Sequence, residues 1–132
     1  MYKIRDIVSV LETKERSYNM QLLTLILKND QKMDTILKEL AEAGVRGGTI
    51  LDGRGMGEEL VNMEDLPMFG MLRRALKDEE TPNSKVILFV LKDEQIVEAR
   101  RTIKRIINLK EPNSGIMFEM PITYVSGLNE ED

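Results

Sequence analysis

The chain has 132 residues with no Cys and no His, and 19 Lys+Arg against 23 Asp+Glu give it a formal net charge of −4. That length suits one domain with its own core, while the composition excludes disulfides and thiolates and removes the commonest metal ligand and general base. The acidic balance argues against a nucleic-acid partner, whose phosphates favour a basic face, and no window approaches the roughly 18–20 apolar residues of a membrane span.

The first residues, Met1-Tyr2-Lys3-Ile4-Arg5-Asp6, carry charges where a signal peptide needs an apolar core, so the expected location is cytoplasmic. Ile4, Ile7, Val8 and Leu11 then fall at helical spacing and predict a short amphipathic helix. Residues 1–19, helix plus polar connector, are expected to form an appendage that packs on the domain or docks a partner or neighbouring subunit.

From residue 20 the same unit occurs twice, 64 residues apart. Leu22 to Leu27 leads into Lys28-Asn29-Asp30-Gln31 and a helical pattern; Val86 to Leu91 leads into Lys92-Asp93-Glu94-Gln95 and another. The first strand is expected at 21–27. Asp30 is the expected N-cap of a helix to Ala43, with Met33, Ile36, Leu37 and Leu40 inward and Gly44 as its stop. Asp93 is the expected cap of a second helix with Ile96, Ala99, Ile103, Ile106 and Ile107 inward, ending near Asn108. A final strand is expected at 116–120, closed by Pro121, with a short edge strand at 122–125.

Two β-α-β units in sequence give an α+β, ferredoxin-like βαββαβ fold, a four-stranded antiparallel sheet with both helices on one face. The first and third strands are apolar along their whole length, so the second sheet face also needs cover. Self-association into an oligomer is the expected answer.

Between the two units lies Gly47-Gly48-Thr49-Ile50-Leu51-Asp52-Gly53-Arg54-Gly55-Met56-Gly57-Glu58-Glu59, with five glycines in 11 positions. Such a backbone either turns sharply or is approached closely by a ligand; a twisted strand with a bulge also uses glycines this way. It is not a dinucleotide fingerprint, since no helix opens at the second glycine. The connection at residues 58–84 is too long to be a mere link; it is either a helix folded back on the domain or a neighbouring subunit, or a functional, partner-docking loop. Its apolar, Met-rich run includes Leu66, Met68, Phe69, Met71 and Leu72, the expected partner-binding residues.

The segment 47–59 resembles the second strand and loop base of the P-II nitrogen-regulatory signalling proteins, with Thr49, Arg54, Gly55 and Gly57 in step with a Gly-x-Thr-x-x-x-x-Lys-Gly-x-Gly-Arg-Gln pattern. Gly115-Ile116-Met117-Phe118-Glu119-Met120-Pro121-Ile122 is similar to that family's last strand. The likeness covers about residues 20–122. It implies a trimer that binds small effectors, ATP with 2-oxoglutarate in the family's nitrogen sensors, and a mobile loop that engages a transporter or enzyme. It implies ligand-binding roles for Thr49, Arg54, Gly55, Gly57 and Glu59, and for Ser114 and Gly115 before the last strand.

The chain departs from that pattern where charge matters. Glu58 and Glu59 stand at the arginine and glutamine positions, Ile116 at a lysine, and residues 111–132 hold five acidic side chains and no Lys or Arg. Polyphosphate recognition depends on charge-assisted hydrogen bonds from Arg and Lys, and a carboxylate repels a dianion. ATP is therefore expected to bind weakly or not at all, without help from 2-oxoglutarate; a nucleotide remains one candidate ligand and no cofactor is assigned. The loop has no Tyr, the acceptor of the uridylylation known in part of the family.

The expected function is a non-enzymatic P-II-like regulator that senses a small effector at the base of the loop. The alternative is a trimeric divalent-cation binder resembling the CutA-type proteins, with Glu58, Glu59, Glu64 and Asp65 as oxygen donors. An RNA-binding module of the same plan needs aromatic and basic residues on strands one and three, where Phe89 is the only aromatic. No catalytic constellation is visible, because no His is present to activate a Ser or Thr.

Overall fold

Both apolar runs become central strands of one sheet. The computed structural model describes residues 19–28, 30–63 and 83–128. Its elements are β1 (Met20–Leu27), a 3-10 turn (Asp30–Lys32), α1 (Met33–Glu42), β2 (Thr49–Arg54), α2 (Met56–Asn62), β3 (Asn83–Lys92), α3 (Asp93–Ile106) and β4 (Gly115–Ile122). The strands lie in the order β2-β3-β1-β4, and every neighbouring pair is antiparallel. This is the expected ferredoxin-like arrangement.

Alternation along the strands divides the sheet into two faces. Leu23, Leu25 and Leu27 of β1 and Ile87, Phe89 and Leu91 of β3 are buried together with Ile36, Leu40, Ile96, Ala99 and Ile103 of the helices. Met33, Leu37 and Ile106 pack against this core from the expected stripes. The other face carries Leu51, Val90, Ile116, Phe118 and Met120, all exposed in the single chain, beside half-buried Leu22, Ile26, Val86 and Leu88. α1 lies along the end of α3, where Lys32 Nζ, just before α1, donates to the Ile106 carbonyl at 3.3 Å and Arg105 pairs with Glu39 at 2.7 Å.

The helix ends differ from expectation in an instructive way. The chain winds through a 3-10 turn at Asp30–Lys32 before α1, whose N-cap is Lys32, without a side-chain cap. α3 begins one residue earlier than a capping Asp93 would allow. Lys92 is its N-cap, Lys92 N–H donates to Gln95 Oε1 at 3.1 Å, and Asp93 instead accepts a bond from Gln21 Nε2 at 3.0 Å. The predicted stop at Gly44 is correct. Gly44 has φ +97°, Gly44 N–H donates to Ala41 O and Val45 N–H to Leu40 O, the paired bonds of a Schellman ending.

β4 is longer than expected and includes Pro121, opposite Gln21. Lys28 N–H donates to Ser114 O, so that pair and every second pair above it exchange ladder bonds. Gln21–Pro121 falls between such pairs, and the missing N–H of Pro121 faces the free edge, where it costs no bond. No separate strand follows: Ile122 ends β4, and residues 123–128 are irregular. β2 pairs without interruption from Thr49 to Arg54, so its one glycine, Gly53, marks no bulge. The expected loop begins inside α2 and ends inside β3. The N-terminal helix at 4–11 lies outside the described residues, as do Glu64, Asp65 and all of Leu66, Met68, Phe69, Met71 and Leu72.

Candidate functional site

β2 is six residues long and β3 ten, so the two cannot pair throughout. Pairing stops at Thr49–Leu88, and β3 runs on to Lys92 beside β1. Asp93 N–H donates to Asn19 O, which fixes the ladder phase: odd residues of β3 bond to β1 and even ones point toward β2. The backbone N–H and C=O of Val90 therefore point past the end of β2, where no strand among the described residues meets them.

Gly48 explains why the chain leaves the sheet there. A Cβ on Gly48 would stand 2.8 Å from both Cδ1 and Cε1 of the buried Phe89, so only glycine lets the backbone cross that ring. The result is an open notch of about 1010 Å³, with Arg46, Gly47, Thr49, Val90, Lys92 and Leu128 among its walls. It offers apolar surface, a hydroxyl, a free stretch of strand edge and two cationic side chains, the mixed lining typical of small-molecule sites.

The opposite end of β2 is built from charges. Arg54 closes the strand, Gly55 is the N-cap of α2, and Glu58 and Glu59 lie in the first turn, where carboxylates favour the helix dipole. Arg54 Nη1 donates to Glu59 Oε1 in an exposed ion pair. The hydrogen bond to Glu59, then its charge and that of Glu58, hold the guanidinium above its ordinary pKa. Glu58 Oε2 is shielded from solvent without a hydrogen-bond partner among the described residues. Glu59 N–H donates to Gly55 O at 3.2 Å, while a side chain on Gly55 would meet nothing within 4 Å among the described residues. Gly55 is thus not required by packing, and Gly57 lies within α2.

Ser114 and Gly115 have structural reasons to be there. Ser114 Oγ donates to Glu111 O at 2.8 Å and closes the turn before β4. Gly115 has φ +148°, and a Cβ there would stand 2.3 Å from the Ile26 carbonyl oxygen.

One chain does not bring the seven expected ligand residues together. Thr49 lines the notch; Arg54, Gly55, Gly57 and Glu59 form the loop root, five residues further along β2, or about 17 Å at strand spacing. Ser114 shares a cross-sheet row with Gly53 but sits on the other edge strand, about 14 Å across three strand spacings. Sequence reasoning missed Arg46, Val90, Lys92, Gln95 and Leu128. The available signal was the length mismatch between the short apolar run after Thr49 and the long one at 86–91. Among the described residues no group of three or more His, Cys, Asp or Glu side chains is placed to hold a metal ion, and no helix is long and apolar enough to cross a membrane.

The family model for nitrogen regulatory protein P-II matches residues 20–132. Among solved structures, Arabidopsis thaliana PII bound to citrate is similar with a TM-score of 0.56 and 19% identity, covering 80% of this chain and 78% of that one. A B. subtilis GlnK–ATP complex is similar with a TM-score of 0.54 and 17% identity, covering 81% and 84%. A functionally unknown protein from Pediococcus pentosaceus has a TM-score of 0.56 and 13% identity, covering 84% and 99%. Curated proteins offer no match.

Proposed function

This chain belongs to the nitrogen regulatory protein P-II family, and we propose that it is a non-enzymatic signalling protein in which a small effector sets the state of the 58–84 loop. The loop in turn engages or releases a transporter or metabolic enzyme. The observation that carries this reading is the Arg54–Glu59 pair. An effector that draws on Arg54 competes with Glu59, and Glu59 belongs to the first turn of the helix from which the loop departs. Binding and loop conformation are coupled if the effector prefers the state in which that pair is open.

The exposed apolar sheet face around Ile116, Phe118 and Met120 supports a homotrimer closed through that face. Such packing offers a way for the notch, the loop root and the start of β4, separate in one chain, to be combined across copies. ATP and citrate, bound by two of the structural neighbours, are the ligands to test first. The engagement of Arg54 by Glu59, Ile116 in place of a lysine and the acid-rich residues 111–132 favour weak polyphosphate binding. Leu66, Met68, Phe69, Met71 and Leu72 are proposed to meet the partner, with Phe69 as anchor because aromatic side chains dominate interface energetics. Residues 1–19 precede the matched span and are proposed to be an appended segment.

Limited proteolysis tests the coupling. ATP, citrate and 2-oxoglutarate, each with Mg²⁺, are added to the full chain and cleavage within 58–84 is followed. The proposal expects at least one of them to change the rate or position of cleavage there without changing it elsewhere. Unchanged cleavage in the presence of a ligand that binds by calorimetry would contradict it. Light scattering coupled to size exclusion checks the assembly; a mass near one 15.1 kDa chain would contradict the trimer.

A further inference from the structure

At the Arg54 end of β2 each cation is already matched by a carboxylate. Asp52 and Arg54 stand two residues apart, about 7 Å, on the sheet face that carries the buried Ile87. Lys85, opposite Asp52 on β3, donates to the Asp52 carboxylate, and Arg54 Nη1 donates to Glu59 Oε1. The residue opposite Arg54 is the uncharged Asn83. Glu58 is the charge left over. It lies close enough to act electrostatically on the Arg54 guanidinium, yet it makes no ion pair among the described residues and its Oε2 is withdrawn from solvent. Lys85 and Arg54 thus face Asp52, Glu58 and Glu59, and the excess charge is negative.

This balance selects the chemistry of the effector. A ligand with only negative charge finds no spare cation here. To engage Arg54 it strips Glu59 of its partner and leaves two bare carboxylates beside a third anion, all repelling one another. A ligand with only positive charge meets Glu58 and leaves the Arg54–Glu59 pair closed. A ligand with both charges on neighbouring atoms can enter between the pair. Its carboxylate accepts from the guanidinium, and its ammonium donates to Glu59 with further N–H groups for Glu58, so every charged group keeps or gains a partner.

We propose that the loop root is a site for a free α-amino acid, held at its carboxylate by Arg54 and at its ammonium by Glu59 and Glu58. The inference rests on the effector reading given above and narrows it from a small effector to a zwitterion. Entry replaces one direct ion pair by two and moves Glu59, in the first turn of α2, away from Arg54.

Spectra of the ¹⁵N-labelled full chain, titrated with each standard amino acid at millimolar concentration and matched ionic strength, test the assignment. At least one amino acid is expected to move the Arg54 guanidinium resonance and the amides of Gly55 and Glu59. The amides of Arg101 and Lys104 on α3 are expected to stay in place. The strongest binder is then compared with its N-acetyl derivative, which lacks the ammonium, and with its carboxamide, which lacks the carboxylate. Each derivative is expected to bind roughly tenfold to hundredfold more weakly, the loss expected on removing a hydrogen bond to a charged group. Glu59→Gln is expected to weaken the amino acid and to strengthen a purely anionic ligand. Glu58→Gln is expected to weaken the amino acid to a smaller extent. An unchanged melting temperature in both variants separates lost binding from lost fold.

If no amino acid moves these resonances, or if the N-acetyl derivative binds as tightly as its parent, the assignment is overturned. A carboxamide that binds as tightly marks a cation site and overturns it as well. Cleavage within 58–84 keeps this inference apart from the reading beneath it. Citrate that binds at Arg54 and changes the cleavage, where no amino acid binds, retains the effector reading and overturns the zwitterion. An amino acid that binds there and leaves the cleavage unchanged retains the site and contradicts its coupling to the loop.

Discussion

The two ends of β2 reach their shape by different means. At the Thr49 end the notch is a backbone feature: a short strand stops against a longer one, and Gly48 carries the chain over the Phe89 ring. At the Arg54 end the geometry is a matter of side-chain charge, with Glu59 bound to the arginine and Glu58 behind it. The contrast teaches where each end is vulnerable. The notch should fail when packing is disturbed and tolerate charge changes, and the loop root should do the reverse.

Phe89→Ala gives the largest effect. The ring is almost wholly buried and supports the chain crossing at Gly48, so the expected loss is about 3–5 kcal/mol in denaturant unfolding. A loss below about 1 kcal/mol would mean that the crossing relaxes without it. Gly115→Ala comes next, at about 1–3 kcal/mol, because the left-handed φ and the Ile26 carbonyl oppose a Cβ. Gly55→Ala is its control. With open space around it and an ordinary φ, the melting temperature should barely move, within the ±0.5 kcal/mol usual for surface changes. If instead Gly115→Ala is harmless and Gly55→Ala destabilises, the assignment of one glycine to structure and the other to ligand approach is reversed.

Little of the notch was legible in the sequence, whereas the sheet was. Periodicity placed β1, α1, β3 and α3 because each repeats an apolar pattern whose burial outweighs local preference. Strand ends were less readable. Pro121 looked like a terminator, and only the ladder phase shows that its missing N–H points to the free edge. Asp30 and Asp93 are good capping types, yet a 3-10 turn and the Gln95 bond moved both helix starts. Arg54, Gly55, Gly57 and Glu59 could be marked because they lie in one contiguous segment whose pattern resembles the P-II loop base. Val90 could not, since its contribution is a backbone edge left free by the length of another strand.

The smallest effect concerns pH. Arg54 is raised above its ordinary pKa by its hydrogen bond to Glu59 and by the charges of Glu59 and Glu58. A raised folded-state value contributes stability that is fully present below the unfolded pKa and lost only as pH rises through the folded one, far into the alkaline range. The chain has no His, so no side chain with an ordinary pKa titrates between about pH 6 and 8.5. The melting temperature and the cleavage pattern of the loop should therefore be flat across that range. A midpoint near pH 7 in either would reveal a strongly shifted group that the loop-root account does not contain.

Calorimetric titration of the unmodified chain and of Glu59→Gln with ATP and Mg²⁺ tests the central claim most directly. The substitution removes the carboxylate charge that engages Arg54 and leaves the backbone bond to Gly55 available. The account predicts weak or undetectable binding to the unmodified chain and clearly tighter binding to the variant, with the melting temperature little changed. A dissociation constant in the low micromolar range for the unmodified chain, roughly −8 kcal/mol, unaltered in Glu59→Gln, would contradict it.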